Sequence, residues 1–338
     1  MSKKVLVTGG AGYIGSHTVL LLLEAGYDVV VIDNLSNGHA EALSRIEKYT
    51  GRSIAFYPVD VRDISAVKNV FQEHNINAVI HFAGLKAVGE SVTDPLSYYE
   101  ANVAGSLSLI TAMSQAGVYK LVFSSSATVY GDDAPIPYVE DQPTGTPVSP
   151  YGRTKSIIEN MLFDMSVSDD HWEIISLRYF NPIGAHPSGQ IGEDPKGIPN
   201  NLLPYISKVA IGKLQYLSVY GDDYSTPDGS CRRDYIHVMD LAEGHILALK
   251  TLSSGYSNIN LGAGKPISVF EVISAFEECI GSQVPYKVVG RRPGDLPEFY
   301  ADTNKAKELL GWVAQRSLSD MVVDAWRWQV NYPEGYVG

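Results

Sequence analysis

A chain of 338 residues, 45% of them hydrophobic and 19% charged, is long enough to bury a full core and too apolar to be intrinsically disordered. Its formal charge of −12 creates no overall field that attracts nucleic acid, so an anionic ligand must be met by local arginines or helix N-termini. The two cysteines, Cys231 and Cys279, form no CxxC pair, the eight histidines are scattered, and no HExxH occurs. This argues against a disulfide framework and against a metal centre, and both thiols are expected to be buried packing residues.

The N-terminus runs from Met-Ser-Lys-Lys straight into the strand-like Val5-Leu6-Val7, which fits no signal peptide. No apolar run is long enough to span a bilayer, so a cytoplasmic location and no membrane partner are expected. Residues 5–8 are predicted as a strand and 13–25 as a helix closed by Gly26, followed by a strand at 28–32. Further strands are expected at 54–58, 78–82, 121–124 and 173–177, with long helices near 95–116 and 151–166. Short apolar strands alternating with amphipathic helices imply an α/β fold, a parallel sheet covered on both faces. Such sheets bind ligands beyond the carboxyl ends of their strands.

The character changes after Phe180. Residues 181–199 are rich in Gly and Pro and read as a structured loop over a ligand. The expected division is a dinucleotide-binding domain over 1–180, to which segments near 234–262 return, and a smaller mixed α/β substrate domain over 181–338. No clean linker separates them, so the second domain is expected to be woven from separated segments.

Gly9, Gly12 and Gly15 recur three residues apart, after a strand and at the opening of a helix. The first permits a tight turn, the second lets a pyrophosphate approach the backbone, and the third lets helix and strand pack closely. The helix N-terminus then offers free N–H groups to the phosphate charge. Asp33 ends the next strand, where an acid accepts hydrogen bonds from ribose hydroxyls and repels an additional phosphate. No arginine follows within 34–38, so NAD is favoured over NADP. This is the pattern of a Rossmann-type doubly wound sheet.

Ser124-Ser125-Ser126 closes a strand, and Tyr151 and Lys155 lie four residues apart on one face of the helix that follows Pro150. Tyrosine is a weak base at its ordinary pKa of about 10. A nearby lysine and a cationic nicotinamide favour its phenolate, and Ser126 can hydrogen-bond the same substrate oxygen. The competing reading of YxxxK alone is an exposed helical pair; the glycine motif and the serine run before it favour proton transfer coupled to hydride chemistry.

With these motifs in place the chain resembles the extended short-chain dehydrogenase/reductase family, and most closely its UDP-galactose 4-epimerase branch. The resemblance covers essentially the whole chain. It is carried by residues 5–17, 81–91, 124–131, 149–155, 178–185, 198–202, 233–240 and 291–296. It implies reversible epimerisation of UDP-galactose and UDP-glucose at C4, in galactose metabolism, through a transient 4-keto sugar and bound NAD. Tyr151, Lys155 and Ser126 match the catalytic set. Around NAD the resemblance places Gly9, Gly12, Tyr13, Ile14, Gly15, Asp33, Asn34, Asp60, Val61, Phe82, Ala83, Gly84, Lys86, Ser124, Tyr179 and Phe180, together with Tyr151 and Lys155. Around the UDP-sugar it places Lys86, Ser126, Tyr151, Asn181, Asn201, Leu202, Ser218, Tyr220, Arg233, Arg292, Asp295 and Phe299.

The side-chain chemistry supports these matches. Arg233 and Arg292 suit a diphosphate and Asp295 suits a ribose hydroxyl, against competing roles as solvated arginines and a loop cap. Phe299 stands where the family varies between a bulky aromatic and a small residue, which implies crowding of an N-acetyl group. The resemblance also implies a homodimer through the two long helices.

A sugar-nucleotide 4,6-dehydratase would need an Asp-Glu pair where Ala127-Thr128 stands. A UDP-glucuronate decarboxylase, or a 4-epimerase of a related sugar, stays open on the residues alone. A net reductase would prefer NADPH, which Asp33 disfavours. A non-catalytic NAD-binding regulator would be expected to lack the Tyr or the Lys, and both are present.

Overall fold

A computed structural model describes residues 3–132, 134–197, 199, 201–292 and 295–336. The resembling blocks at 198–202 and 291–296 therefore contain Ile198, Asn200, Pro293 and Gly294, which lie outside the described residues.

The strands in chain order are β1 (Lys4–Thr8), β2 (Asp28–Ile32), β3 (Ala55–Tyr57), β4 (Ala78–His81), β5 (Lys120–Ser124), β6 (Glu173–Tyr179), β7 (Asn181–Ile183), β8 (Leu217–Tyr220), β9 (Arg232–His237), β10 (Gly255–Leu261), β11 (Pro266–Ser268), β12 (Tyr286–Val289) and β13 (Glu298–Phe299). Seven of them form one sheet in the order β10-β6-β5-β4-β1-β2-β3, with every pair parallel. The order reverses at β1, whose Val7 pairs with Val31 on one side and with Ile80 on the other. That switch point opens a crevice at the carboxyl edge, where β1 runs into the glycine turn.

Successive strand residues supply opposite cores because side chains alternate across a strand. Val5, Val7, Val29 and Val31 join one apolar layer, and Leu6, Val30 and Ile32 join the other. The first layer includes residues of the helices Tyr13–Glu24 and Val238–Thr251; the second includes residues of Ile64–Glu73, Gly105–Gln115 and Pro150–Ser168. After β9 the chain thus returns to the large sheet through Val238–Thr251 and β10.

The smaller sheet is centred on β9. β11 runs antiparallel to it, β13 pairs with Arg232 and Arg233, and β7 pairs with Tyr235 to His237. A separate core behind it joins residues of the helices Leu202–Ala210, Val269–Ile280 and Leu318–Asn331. The segment 181–199 differs from its expected loop in one respect: its first three residues are β7, because Asn181–Ile183 finds an open edge on β9.

The helix expected over 95–116 is present with a local change of pitch. Pro95–Tyr98 and Gly105–Gln115 are α-helical, and Tyr99–Ala104 between them is a π-turn. Asn102 in that turn reaches out of the helix to accept from Leu85 N–H at 2.7 Å and to donate to Leu85 O at 3.0 Å. Such π-turns gather at functional sites, and no residue pattern announces this one. Ser149 caps the long second helix by accepting from Gly152 N–H at 3.1 Å, with Pro150 in its first turn.

That helix is fixed by a buried ion pair. The Arg178 guanidinium donates to Glu159 at 3.0 and 2.7 Å, and the two side chains are only 3% and 5% exposed. Ser125 Oγ donates to the same carboxylate at 2.5 Å. Among the described residues no helix is long and apolar enough to cross a membrane. Glu159→Ala would leave the guanidinium buried and unpaired, so urea unfolding is expected to show a loss of about 3–5 kcal/mol. A loss below about 1 kcal/mol would show that the pair does not anchor the helix.

Candidate active site

The glycine turn is dictated by close approach. Gly9 has φ +70°, and a Cβ there would lie 2.7 Å from Ala83 N. A Cβ on Gly15 would collide with the Gly9 carbonyl. Gly12 is different: its nearest obstacle is the Gly9 carbonyl at 3.3 Å, a far milder contact. It is also the N-cap of Tyr13–Glu24, without a side-chain cap. Bare backbone at a helix N-terminus, over an open crevice, fits a dinucleotide pyrophosphate.

The crevice is a cleft of about 770 Å³. It is lined by Gly9, Gly12, Tyr13, Ile14, Gly15, Asp33, Asn34, Asp60, Val61, Phe82, Ala83, Gly84, Lys86, Tyr151, Lys155 and Tyr179, together with Asn201. Of the residues expected around NAD, Ser124 and Phe180 lie outside this lining. Ser124 instead supports it from behind, and Phe180 turns into an aromatic cluster.

At the end of β2 the Asp33 carboxylate accepts from Ala11 N–H at 3.0 Å and from Leu35 N–H at 2.8 Å. Burial pushes its pKa up, opposed by these N–H groups. Asn34 Nδ2 donates to Asp60 at 2.9 Å, and the Arg62 guanidinium, bonded to the same carboxylate, holds the Asp60 pKa well below the usual range.

The three serines at the end of β5 divide their work. Ser124 Oγ and the Tyr179 hydroxyl share a 2.6 Å hydrogen bond, while Ser124 O accepts from Lys155 Nζ at 2.7 Å. Ser125 holds Glu159, and Ser126 accepts from Thr128 N–H at 3.2 Å beside Tyr151. Tyr151 and Lys155 are 7% and 5% exposed, so the pair is not a surface feature.

Burial raises the Tyr151 pKa, with the Ser126 hydroxyl opposing, and it lowers that of Lys155 to about 8, with Glu159 opposing. Lys155 Nζ lies 5.9 Å from the Tyr151 ring centre and spends its hydrogen bond on Ser124 O. Burial therefore keeps the Tyr151 pKa above its ordinary value in this arrangement. A further cation beside the ring would favour the phenolate.

Most of the expected substrate residues gather in three places. Lys86, Tyr151 and Asn201 line the cleft. Asp295 joins two arginines, accepting from Arg292 Nε at 2.9 Å and from Arg233 at 3.3 Å. The Arg292 guanidinium lies 4.6 Å from the centre of the Tyr220 ring, at the end of the strand that carries Ser218. Phe299, 5.0 Å from the Tyr138 ring and 5.1 Å from that of Phe180, belongs to the aromatic cluster. Asn181 opens β7, and Leu202 begins the helix that Asn201 precedes. Cys231 is buried and Cys279 half-buried, both as free thiols.

Two further residues join the site without any signal in sequence spacing. Glu193 accepts from Asn201 Nδ2 at 2.7 Å and from Lys86 Nζ at 3.3 Å, tying the two together. Asn102 holds the 82–86 turn and also donates to Thr154 Oγ1 at 2.9 Å, one residue before Lys155.

The glycine turn, the acid after β2 and the buried Tyr-Lys pair define a dinucleotide-dependent enzyme that couples proton transfer to hydride transfer. The model of the NAD dependent epimerase/dehydratase family matches residues 5–262. A UDP-glucose 4-epimerase of Neisseria meningitidis serogroup B is 56% identical over 99% of both chains, and that of Bacillus subtilis is 56% identical over 98% of both. Among solved structures, a UDP-glucose 4-epimerase from Bifidobacterium longum, in complex with NAD+ and UDP, superposes with a TM-score of 0.96. It shares 50% identity over 98% of this chain and 100% of its own. The chain belongs to the NAD-dependent epimerase/dehydratase family, and to the UDP-glucose 4-epimerases within it.

Where ionisation of Tyr151 limits the rate, a charged Lys155 favours the phenolate and lowers the pH at which it forms. Lys155→Met is expected to cut turnover by about 10²–10⁴-fold and to move the ascending limb of the pH–rate profile to higher pH. A limb left in place would separate Lys155 from the ionisation.

Proposed function

We propose that the chain interconverts UDP-galactose and UDP-glucose at C4, with NAD as its cofactor and a place in galactose metabolism. The observation that carries this reading is the buried Tyr151–Lys155 pair at a dinucleotide cleft, in a chain matched over its full length by named UDP-glucose 4-epimerases. Ala127 and Thr128 follow Ser126 where a dehydratase would need carboxylic acids, which supports epimerisation over dehydration.

The chemistry that bound NAD supplies is reversible hydride exchange at the sugar C4. Tyr151 takes the O4 proton as the alcohol becomes a ketone and returns it afterwards. Ser126 hydrogen-bonds the same oxygen, and Lys155 supplies positive charge beside the phenolate. Arg233 and Arg292 grip the diphosphate, with Asp295 orienting both guanidinium groups. Firm anchoring of the UDP and loose anchoring of the sugar let the 4-keto ring present its other face before reduction. No net oxidation follows, so retained cofactor suffices for repeated turnover. The roles of the remaining cleft and substrate residues are those the resemblance implies.

The domain division that fits this reading assigns 1–180, with segments near 234–262, to the cofactor and 181–338 mainly to the UDP-sugar. We further propose a homodimer through the helices around 95–115 and Pro150–Ser168, on which Leu96 and Phe163 are 74% and 52% exposed. Light scattering is expected to return twice the chain mass, and Phe163→Asp to halve it; a native monomer would refute the assembly. A cytoplasmic location fits two free thiols, and activity confined to a membrane or secreted fraction would count against it.

Purified protein given UDP-galactose without added NAD is expected to form UDP-glucose at a steady rate with no net NADH. No product even with NAD added, from folded protein, would defeat the reading and direct attention to UDP-glucuronate. In the same assay UDP-N-acetylglucosamine is expected to turn over poorly, because the Phe299 ring crowds an N-acetyl group. A rate comparable to that with UDP-galactose would remove Phe299 from specificity.

A further inference from the structure

The sequence places no arginine next to Asp33, yet the fold brings a cation there from a distant loop. Lys196 Nζ donates to Leu35 O at 2.5 Å across 161 residues, and Lys196 N–H donates to Asn37 Oδ1 at 3.5 Å. Its loop is latched by Asp194, which accepts from Tyr336 N–H at 2.9 Å and meets His39 Nε2 at 3.5 Å. Asp33, Asn37 and Lys196 line the same cleft. Lys196 opposes the effect of burial on the Asp33 carboxyl, so its charge reaches that acid.

Asp33 differs from the other acids that line the cleft. Asp60 is paired with Arg62, Glu90 accepts from the Tyr98 hydroxyl, Glu193 holds Lys86 and Asp194 is latched as above. The hydrogen bonds of Asp33 come from two backbone N–H groups, those of Ala11 and Leu35. Two converging N–H groups with an ammonium group nearby make a receptor for an anion. Here the chain's own carboxylate fills it. That carboxylate accepts ribose hydroxyls and repels a phosphate on the 2′ position. Without it, the same two N–H groups and the lysine would face a phosphate with charge-assisted donors.

We propose that Lys196 is a second cofactor-specificity residue: Asp33 alone excludes a 2′-phosphorylated dinucleotide, and Lys196 receives the 2′-phosphate once that acid is removed. This rests on the NAD reading above and extends it to a residue that the 34–38 segment does not contain.

The test is a competition for the binding site. Native protein, Asp33→Ala, and Asp33→Ala with Lys196→Met are dialysed against equal concentrations of NAD and NADP until the bound ratio is constant. The dinucleotides are then released by denaturation and quantified chromatographically. Asp33→Ser is carried in parallel, with and without Lys196→Met, in case the alanine variant does not fold. Removing the acid is expected to raise the bound NADP:NAD ratio about 100-fold, and adding Lys196→Met to lower it again about tenfold with the affinity for NAD alone unchanged. An equal ratio with and without Lys196 overturns the inference, as does a folded acid-free variant that gains no NADP. In both of those cases the native protein still carries NAD. Native protein that binds neither dinucleotide overturns the cofactor reading itself, and this inference with it.

Discussion

The buried pair of Glu159 with Arg178 is the constraint on which the site's geometry depends. Glu159 lies one turn beyond Lys155 on the same helix, and Arg178 lies one residue before Tyr179 on β6. Two charges removed from water must find each other in good geometry, and these do so through three contacts from Arg178. Ser125 adds a third element, the end of β5, to the same carboxylate. Arg178 also lies 4.9 Å from the Tyr130 ring centre and donates to Glu140 O at 3.4 Å, which draws in the segment after Ser126. One ion pair therefore sets how the helix carrying Tyr151 meets the strand ends carrying Ser124, Ser126 and Tyr179.

That arrangement has an electrostatic cost. Tyr151 and Lys155 are held where water cannot solvate their charged forms, so the phenol is harder to ionise and the ammonium easier to deprotonate. A site left in that state would be a poor base near neutral pH. On the proposed function, an oxidised nicotinamide bound in the cleft that Tyr151 and Lys155 line would supply the missing positive charge. Activation and cofactor occupancy would thereby be linked, which suits the proposed reaction, in which the proton and the hydride leave the same carbinol.

Charge is balanced locally, both in the cleft and around Asp295, within an acidic protein. Lys86 answers Glu193, Arg62 answers Asp60, and Asp295 sits between Arg233 and Arg292. A cation already held in hydrogen-bonding geometry needs little reorganisation to meet a phosphate, which suits the diphosphate contacts proposed for Arg233 and Arg292. Arg292 of the Asp295 group lies beside Tyr220, and that group is outside the lining of the cleft that holds the glycine turn.

The sequence by itself determined the parallel sheet, the glycine turn, the acid after β2 and the helical Tyr-Lys pair. Each of these is a local pattern: strand alternation, helical periodicity, a backbone conformation open to glycine, or a four-residue spacing. The resemblance added Arg233, Arg292, Asp295 and Phe299, whose roles no local pattern supplies. Tertiary structure alone decided the rest. The π-turn that presents Asn102, the short strand β7, the link of Glu193 to Lys86 and Asn201, and the arrival of Lys196 beside Asp33 all depend on contacts between distant residues. Their physical cause is burial and partner choice, since the sign and strength of a charge's effect are set by what the fold places next to it.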